Sequence, residues 1–156
     1  GDTAEKVENK IIDARTSHMR DIGYRPSDYF IEFINDKFLE LEKTLSEKYN
    51  ISHHHACAIY LEPGQCMPVH DDTYAYLQKY MKRDHPMVKY SVVDNIRRYL
   101  VFLTDWEWGQ CLGAGNTIEH QWKSGDTFVW KHKMLHWSSN ASMKPMIFFE
   151  ITGLEL

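Results

Sequence analysis

No stretch of this 156-residue chain approaches the roughly 18 apolar residues that cross a bilayer as a helix. The first residues are charged and carry no apolar h-region, so the sequence as it stands contains no secretory signal. Gly1 in place of a methionine leaves an upstream segment open. Cysteine is scarce: Cys57, Cys66 and Cys111 are odd in number and sit at no zinc-finger spacing, which points to a reduced, cytoplasmic setting. Positive charge is not in excess either. A net charge of −4 and a pI near 6.1 argue against a basic groove for nucleic-acid phosphates. Internal repeats and low-complexity tracts are absent.

What is present is an ordinary globular balance, 43% hydrophobic and 26% charged, with aromatics at 13% that can fill a core or line a pocket. The length suits one domain, 1–156, with a change of character near residue 50. Residues 1–50 read as helical support. Asp2 with Glu5 forms a plausible capping box for a first helix reaching about Met19, and Gly23 and Pro26 punctuate a loop. Ser27 caps a second helix in which Phe30, Phe33, Ile34, Phe38, Leu41 and Leu45 make one apolar stripe for packing on a sheet. Residues 51–156 read as short strands: 57–62, 66–72, 96–103, 117–122, 127–131, 134–138 and 146–152. Residues 106–115 read as a Gly-rich turn region, and 73–94 as an irregular insertion. Strands after helices indicate an α+β, mostly β chain, a sandwich or barrel braced by two N-terminal helices.

His70 and Asp72 carry the chemistry. On a strand, residues i and i+2 face the same side, so both can reach one ion while Asp71 points away. A third ligand must come from another strand, and His136, sixty-four positions past Asp72, is the best candidate. Two imidazoles and one carboxylate occupy one face of an octahedron and leave the rest open, which suits iron(II) rather than a closed structural zinc site. Alone, a His-x-Asp in a chain with nine histidines is weak. Its context is a Pro63-Gly64 turn before it, the turn Trp122-Lys123-Ser124-Gly125-Asp126, His136 ten residues later with Asn140 beyond it, and an apolar strand ending Thr152-Gly153.

Over residues 56–153 this ordered set resembles the 2-oxoglutarate/iron(II) oxygenase superfamily, especially its small prolyl-hydroxylase-like and phage or bacterial members. The resemblance implies a double-stranded β-helix, a jelly-roll or cupin-like barrel. It implies Fe(II), 2-oxoglutarate and, as an accessory, ascorbate. It also favours His136 over His132 and His120 as the distal ligand, since the family's ligand opens the strand after the Gly-Asp turn. His53-His54-His55 reads as a solvated helix-to-strand connection rather than a metal site.

The match weakens at the 2-oxoglutarate anchor. The family's usual basic residue lies about ten positions past the distal His, where this chain has Met146, Ile147 and Phe148; the nearest is Lys144. Some family branches use a mid-barrel strand, and Arg97-Arg98-Tyr99 opens one here. Only one of the two arginines can face inward. Aligning Val101-Phe102-Leu103 with the family pattern turns Val101, Tyr99 and Arg97 inside, with Tyr99 able to help hold a carboxylate. Asn140 is a candidate for orienting the distal ligand or co-substrate, or a turn residue. Trp130 and Trp137 are candidate walls. Tyr74, Tyr76, Tyr80, His85 and Tyr90 mark the insertion as a lid over the substrate.

The expected activity is hydroxylation of an amino acid, peptidyl residue or small metabolite, with 2-oxoglutarate decarboxylated to succinate and CO2. Asp72 argues against a halogenase, in which a small residue opens that position for halide. The alternatives are a cupin-type metal enzyme that needs no 2-oxoglutarate, and a non-catalytic binding module on the same fold.

Overall fold

A computed structural model describes residues 4–5, 19–30, 32–33, 36–72, 95–131 and 133–155. Its elements are β1 (Ala4–Glu5), β2 (Asp28–Phe30), β3 (Glu32–Phe33), helix α1 (Asp36–Lys48), β4 (Ile51–Leu61), β5 (Cys66–His70), β6 (Ile96–Phe102), β7 (Gln110–Ala114), β8 (Thr117–Glu119), β9 (Thr127–Lys131), β10 (His136–Asn140) and β11 (Met146–Glu155). The insertion 73–94, with its tyrosines and His85, and His132 lie outside the described residues.

Eight of these strands close the barrel. One sheet runs β4-β11-β6-β9, extended at its edge by β2; the other runs β5-β10-β7-β8. Every neighbour is antiparallel. Counting the barrel strands in chain order, one sheet takes the first, eighth, third and sixth, the other the second, seventh, fourth and fifth. Successive strands thus alternate between facing sheets for most of the chain, the winding of a double-stranded β-helix. The expected fold class is the one observed.

Period-two alternation sorts the side chains of the larger sheet into two cores. Ile59, Leu61, Leu100, Phe102, Met146 and Phe148 fill the space between the sheets with Met67, Leu112, Trp122 and Trp130. Ala56, Ala58, Tyr99, Val101, Phe149 and Ile151 face the other way, against Phe38, Leu41 and Leu45 of α1. Asp36 opens α1, where an acid suits the positive end of the helix. Asn50 ends it in a left-handed conformation (φ 52°) that asparagine tolerates.

Met19, Arg20 and Asp21 are helical, while the second helix is shorter than the sequence suggests. Ala4–Glu5 pairs with Glu32–Phe33 as strand, so the Asp2/Glu5 capping box does not form a helix start; residues 6–18 are not described. The second helix begins at Asp36 instead of Ser27, because Asp28–Phe30 pairs with Tyr60–Ala58 at the sheet edge. The run Tyr29-Phe30-Ile31-Glu32-Phe33-Ile34 is aromatic and β-branched, and the edge of a sheet outweighs its helical spacing. His53–His55 belong to β4 rather than a connection, with a bulge at His53 (φ 50°) opposite the register shift at Thr152/Leu154. Residues 110–114, expected as turn, form β7.

The Trp122–Asp126 motif serves the fold. Trp122 stacks on Phe102 at 3.8 Å and donates its indole N–H to Thr104 O. Gly125 N–H donates to Phe102 O, and the Asp126 carboxylate accepts from Lys123 N–H. On the outer face of the smaller sheet, Trp137 lies flat over Gly113, its cross-strand partner. A Cβ at 113 would overlap the indole ring. Gly113→Ala is therefore expected to destabilise the protein by about 1–3 kcal/mol through overpacking, read as a lower urea midpoint at unchanged slope. An unchanged midpoint would mean that the Trp137–Gly113 contact is absent in solution.

Candidate metal centre

Among the described residues the buried charged side chains gather at one end of the barrel's interior, and strand register explains how. Three successive inward rows cross the larger sheet. Ile59, Phe148 and Phe102 form an apolar row; Cys57, Glu150, Leu100 and Phe128 come next; His55, Thr152, Arg98 and Trp130 come last. From the smaller sheet, β5 and β10 pair so that His136 stands opposite His70. The two ring centroids are 4.2 Å apart.

Both imidazoles are oriented the same way. His70 Nδ1 donates to Pro68 O at 2.7 Å and His136 Nδ1 to Met134 O at 2.9 Å. With Nδ1 carrying the proton, each Nε2 presents a lone pair inward. Asp72, two residues past His70, lies between them: Oδ1 is 3.6 Å from His70 Nε2 and Oδ2 is 3.3 Å from His136 Nε2. One donor atom from each residue falls within 4.8 Å of the others, and among the described residues no fourth His, Cys, Asp or Glu joins them. Three electron-pair donors face one point. His136 Nε2 is buried with no hydrogen-bond partner among the described residues, a costly state that a cation at that point would relieve. The donor set therefore fits a divalent metal, with Nδ1–carbonyl hydrogen bonds of the kind that hold metal-binding histidines.

Arg98 and Trp130 close this end. Arg98 Nη1 donates to Asp72 Oδ2 at 2.7 Å and lies 3.5 Å from Glu150 Oε2, while its Nε donates to Thr152 Oγ1 at 2.8 Å. Trp130 Nε1 lies 3.4 Å from Asp72 Oδ2, and its ring is 4.7 Å from that of His136. Burial alone would raise the Asp72 carboxyl, but the neighbouring His70 and the charge of Arg98 outweigh it and hold the group ionised well below the usual carboxylate range. Burial lowers His136 despite the attraction of Asp72, keeping it a neutral donor. Both shifts favour the protonation states in which metals bind.

The remaining sequence candidates are placed as follows. The inward residues of β6 are Arg98, Leu100 and Phe102; Val101 and Tyr99 lie under α1, where Tyr99 stacks on Tyr49, and Arg97 pairs with Glu155 at 2.9 Å. The parity that turned Arg97, Tyr99 and Val101 into the barrel is thus reversed. Lys144 is exposed and pairs with Glu107 at 2.9 Å. Asn140 is buried at the far end of β10, where its amide donates to Leu61 O and Lys144 O and its carbonyl accepts from Ser142, so it holds the turn into β11 rather than the ligand. Trp130 walls the site, and Trp137 points away from it. His120 packs beside Trp106, apart from the triad.

Glu150 was not singled out in the sequence, and Cys57, Thr152 and His55 were not read as neighbours of the site. Glu150 is the sole acid in the run 146–154, and its alternation with Met146 and Phe148 is a legible signal for an inward carboxyl. Its burial raises it, against the pull of Arg98, and the Cys57 thiol lies 3.7 Å from its Oε2. Ser138, two residues past His136, is a buried hydroxyl with no hydrogen-bond partner among the described residues.

No family model matches the chain, and no curated protein matches its sequence. Solved structures of similar shape share little sequence with it. An uncharacterised conserved protein with a double-stranded β-helix domain from Klebsiella pneumoniae is 17% identical, covering 65% of this chain and 68% of that one at a TM-score of 0.42. A predicted oxalate decarboxylase from Thermotoga maritima is 9% identical, covering 82% and 80% at 0.47. An RmlC-like cupin family protein from Methanocaldococcus jannaschii is 15% identical, covering 65% and 71% at 0.42. The fold is defined by its own strand order; these distant likenesses add nothing on function. No described helix is long and apolar enough to cross a membrane.

His55 yields a pH prediction. Burial, then the charge of Arg98, lower it from 6.5 to about 4. Between those values the unfolded chain binds a proton that the folded chain does not, so this group makes stability fall as pH drops from 6.5 towards 4. Each unit of difference between the folded and unfolded values is worth about 1.4 kcal/mol. His55→Gln is expected to flatten the slope of urea stability against pH in that window. A slope identical to wild type would place the lost stability on other groups.

Proposed function

We propose that this protein is a mononuclear non-haem iron(II) oxygenase with 2-oxoglutarate as co-substrate. The observation that carries the reading is the convergence of two carbonyl-anchored imidazoles and one ionised carboxylate, with His136 Nε2 left unsatisfied. His70, Asp72 and His136 would hold the metal, and three protein donors on one side leave coordination positions for exogenous ligands. Bound iron(II) would supply the dioxygen chemistry. The chain's own part is to fix the donors, exclude water with Trp130 and the apolar row beneath, and bind anions near the metal. Arg98 is the candidate partner for a carboxylate of 2-oxoglutarate, with the buried Ser138 hydroxyl a further polar contact. The substrate class is an amino acid, a peptidyl residue or another small metabolite.

One observation favours a second reading, a cupin-type metal enzyme that works without 2-oxoglutarate. Arg98 is already held by Asp72, Thr152 and Glu150, and β11 turns only Met146 and Phe148 inward where the family's usual anchor stands.

Iron(II)-dependent conversion of 2-oxoglutarate to succinate separates the two. The first reading expects succinate with the wild-type chain and none with Asp72→Ala. Arg98→Leu should raise the apparent constant for 2-oxoglutarate about 30-fold or more, since truncating a buried charge pair costs on the order of 2–5 kcal/mol. Arg97→Leu and Lys144→Leu should change it little. Iron binding without any succinate would move the cupin-type reading to the front.

A further inference from the structure

The mechanism so far leaves one buried acid unused. Glu150 is 3% exposed, and it lies on the same guanidinium as Asp72. Arg98 Nη1 is 2.7 Å from Asp72 Oδ2 and 3.5 Å from Glu150 Oε2, so one cation serves two carboxylates, and it favours Asp72. The guanidinium cannot swing freely between them. Its Nε is fixed by Thr152 Oγ1, the residue directly across the strand pair. Glu150 is set by register too, facing Cys57 on β4 and Leu100 on β6.

On this geometry, and resting on the reading of His70, Asp72 and His136 as a metal site, we propose that Glu150 is a positioning residue. By competing for Arg98 it limits how strongly the guanidinium holds Asp72 Oδ2, and so sets how available the Asp72 carboxylate is to a cation. A guanidinium and a metal draw on the same carboxylate. Releasing Arg98 from Glu150 commits it wholly to Asp72 and weakens Asp72 as a metal ligand. Glu150 touches neither substrate nor metal in this scheme; it acts through Arg98.

The test uses Co(II) alone as the probe, with the full-length chain, measuring affinity by titration and the visible absorption of the bound ion. Glu150→Gln keeps the shape and removes the competing carboxyl. It is expected to weaken Co(II) binding about tenfold, the low end of what loss of a partner behind a metal ligand costs. The same substitution in an Arg98→Met background separates positioning from a plain field effect. If Glu150 acts through Arg98, the tenfold change shrinks to little or nothing there. An equal loss in both backgrounds, or no loss in Glu150→Gln itself, overturns the proposal. Should Arg98→Met fail to fold by circular dichroism, Thr152→Val decides, because it leaves every charge in place and frees only the guanidinium. It is expected to alter the Co(II) spectrum, and an unchanged spectrum contradicts the proposal. A wild-type chain that binds no Co(II) overturns the metal reading itself, and this inference with it.

Discussion

The antiparallel pairing of β5 with β10 brings residues sixty-six positions apart to one point, His70 opposite His136. The polar end of the barrel is organised around it. The pairing sets the two rings 4.2 Å apart, and each Nδ1 then finds a carbonyl two residues earlier in its own chain. Those two hydrogen bonds decide the tautomers, and the tautomers decide that both Nε2 lone pairs point inward. Asp72 follows β5 by two residues and enters between them. Without that register, His136 would stand on its own strand away from His70 and Asp72.

An interior carboxylate carries a large desolvation cost unless it is paired. Here the cation is Arg98, itself inward because β6 alternates as it does, and further tied by Thr152 and Glu150. The apolar side chains of Ile59, Phe148, Phe102 and Leu100 lie beneath, so the charged layer rests on an apolar floor that lowers the local dielectric. That combination stiffens the donors. It also explains why the polar residues of four different strands form one network rather than isolated pairs.

Much of this was legible in the residues. The i, i+2 spacing of His70 and Asp72, the β-rich second half and the double-stranded β-helix all follow from local pattern and resemblance. The choice of Arg98 over Arg97 did not, because a strand's parity is relative: one face of β6 packs on α1 and is as apolar as the other, so Val101 looks as inward as Leu100. The second helix was overextended because Phe30 and Phe33 match the helical spacing of Phe38, Leu41 and Leu45, while the demand of the β4 edge for a partner strand is invisible in sequence. Glu150 was overlooked for the opposite reason. Its position was readable, but its meaning depends on a guanidinium fifty-two residues away.

The claim on which the account stands is that His70, Asp72 and His136 hold one metal ion. The most direct measurement is anomalous diffraction at the iron edge from crystals grown anaerobically with Fe(II). The account predicts a single strong peak per chain, lying among His70 Nε2, His136 Nε2 and the Asp72 carboxylate. No peak there, or a peak at His53–His55 instead, would contradict it.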